Sequence, residues 1–331
     1  VIVLRRIKLL IILFIFSVSC LGQEALNVSK VSITVSDLEV SKKFYQDILT
    51  FKLLSEKEYS SSELNQLFGL SGNNRIKVAT LKLGEEEIEL IDFLDKEGRA
   101  IPKDSKSNDL WFQHIAIVVN DMGAAYKILW DNEVQHVSTS PQTLPDFIPA
   151  AAGISAFYFQ DPDGHNLEII YFPQGKDNPK WQNKSGGPFI GIDHTAIGIS
   201  STKASRLFYG DIGLKVSGDS HNYGSEQEHL NQVFGANLMI TGNVAQNGIG
   251  VEFLDYIAPP GGRTYPADSK VYDLWHWHTT IQVAGIESIL KSNPELQTIS
   301  TGIVSTKNTY PMSTKSIMVR DTDGHAILLI E

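Results

Sequence analysis

The 331-residue sequence has one cysteine, Cys20, and four methionines. A single thiol excludes an intramolecular disulfide and any multi-thiolate metal site. Positive charge is also scarce. Lys and Arg number 28 against 38 Asp and Glu, a formal net charge of −10. A nucleic-acid partner would need a basic surface for its phosphates, so that class is excluded. One long apolar run is present, residues 9–16, and it is too short to span a bilayer. What remains is ordinary for a globular protein with real cores: 42% hydrophobic and 20% charged residues, in a length that suggests about two domains.

The apolar run belongs to a leader. Arg5, Arg6 and Lys8 precede it, and small residues with Cys20 and Gly22 follow. A basic start, an apolar centre and a small-residue end make residues 1–22 a signal peptide, with Gln23 as the first mature residue. The alternative is a lipid anchor through Cys20. Cleavage leaves no cysteine nucleophile, takes the formal charge to −13, and sends the protein to the periplasm or the medium.

The rest of the chain is written twice. "GRAIPKDSKSNDLWFQH" begins at Gly98, and "GRTYPADSKVYDLWHWH" begins at Gly262. "ELNQLFG" answers "HLNQVFG", and "DPDGHNLEII" answers "DTDGHAILLI". Residues 28–173 and 189–331 are therefore two copies of one domain, and the polar, Pro/Gly-containing segment 174–188 is a linker. Each copy divides again. Alternating strand patterns, one amphipathic helix and hairpin turns predict a strand–helix–strand–strand–strand unit, present four times.

With "SDLEVSKKFYQDIL", "DHTAIGIS", "ASRLFYGDIGLKV" and "DPDGHNLEII" inside those units, nearly the whole mature chain resembles the vicinal oxygen chelate superfamily. That family includes glyoxalase I, extradiol dioxygenases and bleomycin resistance proteins. The resemblance implies an α+β fold, four βαβββ units forming two glyoxalase-like domains with incomplete barrels. It also implies one divalent metal ion (Zn, Ni, Co, Mn or Fe(II)), held by the first and last strands of each unit.

Carried over position by position, the ligand sites fall on His194 and Glu252 in the third unit and on His114 and Glu168 in the second. The first unit offers Lys30 and Glu89, the fourth His278 and Leu328. Strand alternation is consistent with this. Glu168 shares its face with Ile170 and Phe172, where an ionised carboxylate is costly unless it is paired or metal-bound. His194 shares its face with Ala196 and Gly198, which leave space. His165 and His325 are expected to be structural residues of hairpin turns. His136, His221 and His229 are expected at the surface, and Trp111, Trp275 and Trp277 in core packing. Arg99 and Arg263 are expected either in solvent or as a clamp on a substrate carboxylate.

Two pairings of the units are known in the family. Pairing within each copy, as in extradiol dioxygenases, gives Lys30, Glu89, His114 and Glu168 in one site, and His194, Glu252, His278 and Leu328 in the other. Both sets are damaged. Pairing across copies, as in glyoxalase I, gives one intact set of His114, Glu168, His194 and Glu252, and one derelict set. The intact set suits a six-coordinate ion acting as a Lewis acid on a small substrate with two neighbouring oxygens. Glu168 and Glu252 are the catalytic candidates for moving the proton beside the carbonyl. The resemblance thus implies an exported lyase or isomerase of glyoxalase type. An exported protein would not meet a cytosolic glutathione adduct, so its substrate would be another dicarbonyl, catechol or sugar-derived compound. The alternatives are an Fe(II) ring-cleaving dioxygenase and a metal-free binding protein of the bleomycin-resistance kind.

Overall fold

The computed structural model describes residues 24–176, 179–182 and 186–331. The expected leader lies outside the described residues, as do parts of the linker.

The first unit runs β1 (Ala25–Val35), α1 (Leu38–Asp47), β2 (Lys52–Tyr59), α2 (Ser62–Leu67), β3 (Ile76–Leu83) and β4 (Glu86–Phe93). The second runs β5 (Gln113–Val119), α3 (Met122–Asp131), β6 (Gln135–His136), β7 (Gln142–Thr143), β8 (Ser155–Gln160) and β9 (Asn166–Tyr171). The third has β10 (Phe189–Ile199), α4 (Thr202–Ile212), β11 (Lys215–Tyr223), α5 (Ser225–Asn231), β12 (Asn237–Val244), β13 (Asn247–Gly248) and β14 (Gly250–Ala258). The fourth has β15 (Trp277–Val283), α6 (Ile286–Ser292), β16 (Ser316–Arg320) and β17 (Ala326–Ile330). Its expected second strand survives only as two isolated bridges, Thr298 to Val319 and Val304 to Ser316. Pro294 and Pro311 flank that stretch, and proline cannot donate to a ladder.

Local chemistry starts the helices that follow the first strands. The Asp37 carboxylate accepts from the backbone N–H groups of Glu39 and Val40, Asp121 accepts from Ala124, and Ser201 accepts from Ala204. Each satisfies donors that the first helical turn leaves open.

The sheets do not follow the repeat boundaries. One has the order β16-β17-β15-β1-β4-β3-β2, joining the fourth unit to the first. The other has the order β11-β12-β14-β10-β5-β9-β8-β6, joining the third unit to the second. Neither closes into a barrel. The seams are antiparallel, β1 against β15 and β10 against β5. Pairing within each copy, the extradiol-type arrangement, is therefore not the one formed.

Alternation along the strands separates two faces. Ile115, Ile117, Leu167, Ile169, Ile88 and Leu90 point to one side, in a continuous core shared by all four units. His114, Glu168 and Glu89 point to the other.

The repeated "GR" loops are crossing clasps. Arg99 of the first copy bonds Asp273 (2.7 Å) and Asp268 (3.0 Å) of the second and lies 4.7 Å over Trp275. Arg263 does the same in reverse, to Asp109 (2.7 Å) and Asp104 (3.0 Å), over Trp111. Both arginines are exposed, as expected of loop residues, but neither is free to clamp a substrate, because each guanidinium is already committed to two carboxylates. The glycine before Arg99 has a steric reason. A Cβ at Gly98 would sit 1.7 Å from the carbonyl oxygen of Tyr272.

His165 is held in its turn by Asp161 (2.8 Å) and by the carbonyl of Leu274 (2.7 Å), and His325 is held by Asp321 (3.0 Å). His221 and His229 are exposed. His136 is not a surface residue as expected. It is half-buried, edge-on to Phe157 at 4.8 Å, because Tyr126 and Trp130 extend the apolar surface over it.

Candidate metal centre

The site is built at the seam of β5 and β10. Ala196 faces His114 across the antiparallel pair and stands beside Glu252 of β14. Ala116 faces His194 and stands beside Glu168 of β9. Two alanines at the centre thus leave room for four longer side chains from the surrounding positions. The structure brings together all four residues expected from the sequence, two from each copy.

His114 Nε2 lies 3.1 Å from Glu168 Oε2, and His194 Nε2 lies 3.7 Å from the same oxygen. Glu252 Oε2 lies 3.3 Å from His194 Nε2. His114, Glu168 and His194 are buried and offer ligand atoms within 4.8 Å of one another. Among the described residues this is the only His/Cys/Asp/Glu group so arranged. Glu252 stands at its edge with 29% of its side chain exposed, toward the pocket.

Both ring nitrogens of His114 and Nε2 of His194 are buried and make no well-aligned hydrogen bond, although carboxylate oxygens stand 3.1 Å from His114 Nε2 and 3.3 Å from His194 Nε2. Orphaned polar atoms of this kind are rare in native proteins and need a reason. Two imidazole nitrogens and two carboxylates aimed at one point are a donor set that fits a divalent cation.

The charges tell the same story. Burial opposes a proton on His194, but Glu252, Asp193 and Glu168 outweigh it and raise its pKa to about 10. The Glu252 carboxyl is pushed up, chiefly by burial at the pocket floor, with Glu168 and Asp193 adding to this against the pull of His194. Three acids around two imidazoles carry an excess of negative charge, which here draws a proton to His194.

Asp193 was not expected from the sequence. In a regular strand the neighbour of His194 would point to the opposite face. The β10–β5 pairing slips between Ile192 and His194, so Asp193 is the extra residue of a bulge. Its carboxylate bonds His194 Nδ1 at 2.9 Å, which fixes the ring and leaves Nε2 to face the cluster. The hydrogen bond from His194 holds Asp193 below the usual carboxylate range despite burial. The indole N–H of Trp181 donates to the other carboxylate oxygen. Trp181 sits in the expected linker, in a 3₁₀ turn (Pro179–Trp181), and is buried. A Cβ at Gly191 would lie 2.7 Å from its ring, so the strand carries glycine there.

Above the cluster is a cavity of about 350 Å³. Leu144, Ile154 and Ile170 form part of an apolar wall, and Ser220, Asn222 and Gln227 part of a polar one. The volume suits a small organic molecule.

Residues 27–169 match the model of the Glyoxalase/Bleomycin resistance protein/Dioxygenase superfamily. Among solved structures, glyoxalase I from Zea mays is 15% identical, with 93% of this chain and 92% of that chain covered and a TM-score of 0.56. A putative dioxygenase from Bacillus subtilis is 12% identical, with 93% and 86% covered and a TM-score of 0.54. At these identities the likeness is one of fold. No curated protein matches the sequence, and no helix among the described residues is long and apolar enough to cross a membrane. The first copy thus matches the Glyoxalase/Bleomycin resistance protein/Dioxygenase superfamily in sequence, and the chain as a whole has a fold like that of glyoxalase I.

Proposed function

We propose that the protein is a divalent-metal-dependent enzyme of glyoxalase type, a lyase or isomerase acting on a small substrate with two neighbouring oxygens. The observation that carries this reading is the set of orphaned imidazole nitrogens of His114 and His194 around Glu168 and Glu252, with His194, Glu168 and Glu252 lining a cavity. His114, Glu168, His194 and Glu252 would hold the ion. When bound, it would supply Lewis-acid polarisation of the substrate oxygens.

The residues of the chain do the rest. Asp193 orients His194. The apolar wall excludes water from one side of the substrate. Glu252, the carboxylate most open to the cavity, takes the proton from the hydroxyl-bearing carbon and returns it to the former carbonyl carbon, while the hydroxyl proton passes to the former carbonyl oxygen, so that hydroxyl and carbonyl exchange places. The proton only changes place, so the reaction needs no external oxidant. Glu168, the more deeply buried, stays with the two histidines.

A second reading has one observation in its favour. His114, Glu168 and His194 pack more closely than the full four, and two histidines with one carboxylate also suit Fe(II) and dioxygen chemistry. Its carboxylate would be Glu168.

Elemental analysis and two assays separate the readings. About one divalent ion per chain is expected, held less tightly as pH falls because a proton competes for His194. α-Hydroxycarbonyl compounds should exchange their α-proton in D2O. Oxygen uptake with catechols by the Fe(II)-loaded protein, without such exchange, would replace the isomerase reading. A folded protein that takes no metal would leave the binding-protein alternative.

Trp181→Phe keeps the ring and removes the N–H that holds Asp193. Metal affinity should drop roughly 10–100-fold, the usual effect of losing an outer-shell partner. Competition with a chromophoric chelator would measure it, and the melting temperature of the metal-free protein serves as control. An unchanged affinity would mean that Asp193 keeps its place without the indole.

The same proposal puts the mature protein outside the cytoplasm, starting near Gln23, on the pattern of residues 1–22. Intact mass of protein from the native envelope reads this directly. A cytoplasmic chain that retains residues 1–22 would overturn it.

A further inference from the structure

The two sheets are equivalent position by position. Ser32 faces His278 and stands beside Glu89, as Ala196 faces His114 and stands beside Glu252. Lys30 faces Thr280, which stands beside Leu328, as His194 faces Ala116, which stands beside Glu168. Lys30, Glu89, His278 and Leu328 therefore occupy the backbone positions of His194, Glu252, His114 and Glu168.

Their surroundings are opposite in kind. Lys30 Nζ lies 2.6 Å from Glu89 Oε1. The second oxygen of Glu89 accepts from Ser32 (2.9 Å) and from the hydroxyl of Tyr310 (2.8 Å). Tyr310 also meets His278 Nε2 at 2.9 Å. Both carboxylate oxygens of Glu89 are occupied, and so is the nitrogen that corresponds to the orphaned Nε2 of His114. Phe68, Met318, Leu328 and Tyr310 fill the space above the strands in one apolar cluster. On the working sheet the same face holds a cavity.

We propose that the Lys30 ammonium is a resident substitute for a divalent cation, so that this second site is permanently closed and joins the two copies without metal. Lys30 and Glu89 come from the first copy, His278 and Tyr310 from the second. His278 adds no charge, since burial and then the nearby Lys30 push its pKa down to about 3. Lys30 is thus the cation that balances Glu89. Tyr310, just before Pro311 as Ile148 is just before Pro149, blocks the place a ligand would need.

Two experiments test this. The first is a triple variant, Lys30→His, Tyr310→Ile and Leu328→Glu, which gives the closed site the residue types of the open one. Cobalt(II) titration followed by visible absorption should reach two ions per chain, against one for the native protein. A folded triple variant that still takes one ion overturns the proposal. This comparison rests on the functional reading above, so the second experiment avoids metal altogether. Lys30→Met should lower the thermal midpoint in chelator, because it strands a buried carboxylate. Adding Glu89→Gln should recover more than half of the loss, the coupling expected of a compensating pair. Lys30→Met melting at the native temperature overturns the proposal whatever the cobalt result. Native protein that takes no cobalt, with the melting pattern as expected, would instead sink the functional reading alone.

Discussion

Replacing either His114 or His194 with alanine is expected to remove most of the bound metal, although the two residues belong to different copies of the repeat. Both point at Glu168, at 3.1 and 3.7 Å. A tightly held structural ion is worth roughly 10–16 kcal/mol over four ligands, so one ligand is worth about 3 kcal/mol, and its loss lowers affinity roughly 10²–10³-fold. The loss is deepened because Glu168 and Glu252 remain close together with less to separate their charges. His278→Ala is the control. It removes a histidine from an equivalent strand position, yet metal content should stay near one ion per chain, because His278 faces Tyr310 and not the cluster. Elemental analysis of the three variants after dialysis reads the result. Retention of metal by His114→Ala, with loss in His278→Ala, would move the ion to the other sheet.

The second large effect concerns the chain cut in the linker. Produced separately, residues 23–182 and 183–331 should each fail to hold metal as monomers, and mixing them should restore about one ion per pair. Each fragment owns half of each sheet. Separation turns β1, β15, β5 and β10 into edges and uncovers Val31, Ile33, Ile115, Ile117, Ile197 and Ile281, all nearly fully buried in the intact protein. At about 1.5–3 kcal/mol for each side chain, the exposure costs roughly 9–18 kcal/mol. That matches or exceeds the whole stability of an ordinary domain, about 5–15 kcal/mol. The fragments should therefore be unfolded or self-associated, with exposed edges as the route to association. Size-exclusion chromatography with metal analysis on each fragment and on the mixture decides it. A monomeric fragment that binds one ion tightly would mean that the centre does not need both copies.

Much of this was legible in the sequence because duplication leaves marks that can be aligned. The four units, the first strands and their helices follow from repeated words and from alternation. His114, Glu168, His194 and Glu252 follow from family spacing, and a count of intact ligands favoured the arrangement that the sheets in fact take. Residues whose roles depend on an irregularity or on distant packing were not legible. Asp193 reaches the cluster through a bulge, and period-two reasoning turns it away. Trp181 lies in a polar stretch with no period, so its burial depends on a gap at Gly191 made by another element. Tyr310 closes the second site from a loop, where no pattern of strand or helix points the ring inward. Arg99 and Arg263 looked available because their partners, Asp273 and Asp109, are 174 and 154 residues away in the chain.

The equivalence of the two seams carries a consequence for inheritance. Two identical chains, each one copy long and arranged as these copies are, would form two identical sites. A lysine at the position of Lys30 would then replace a histidine in both, and no copy of the centre would survive. Joined in one chain, the halves mutate independently, and a change at one seam leaves the other alone. Covalent linkage therefore lets one molecule keep a reactive pocket at one seam and a solid, ion-paired joint at the other, a division of labour closed to a symmetric pair.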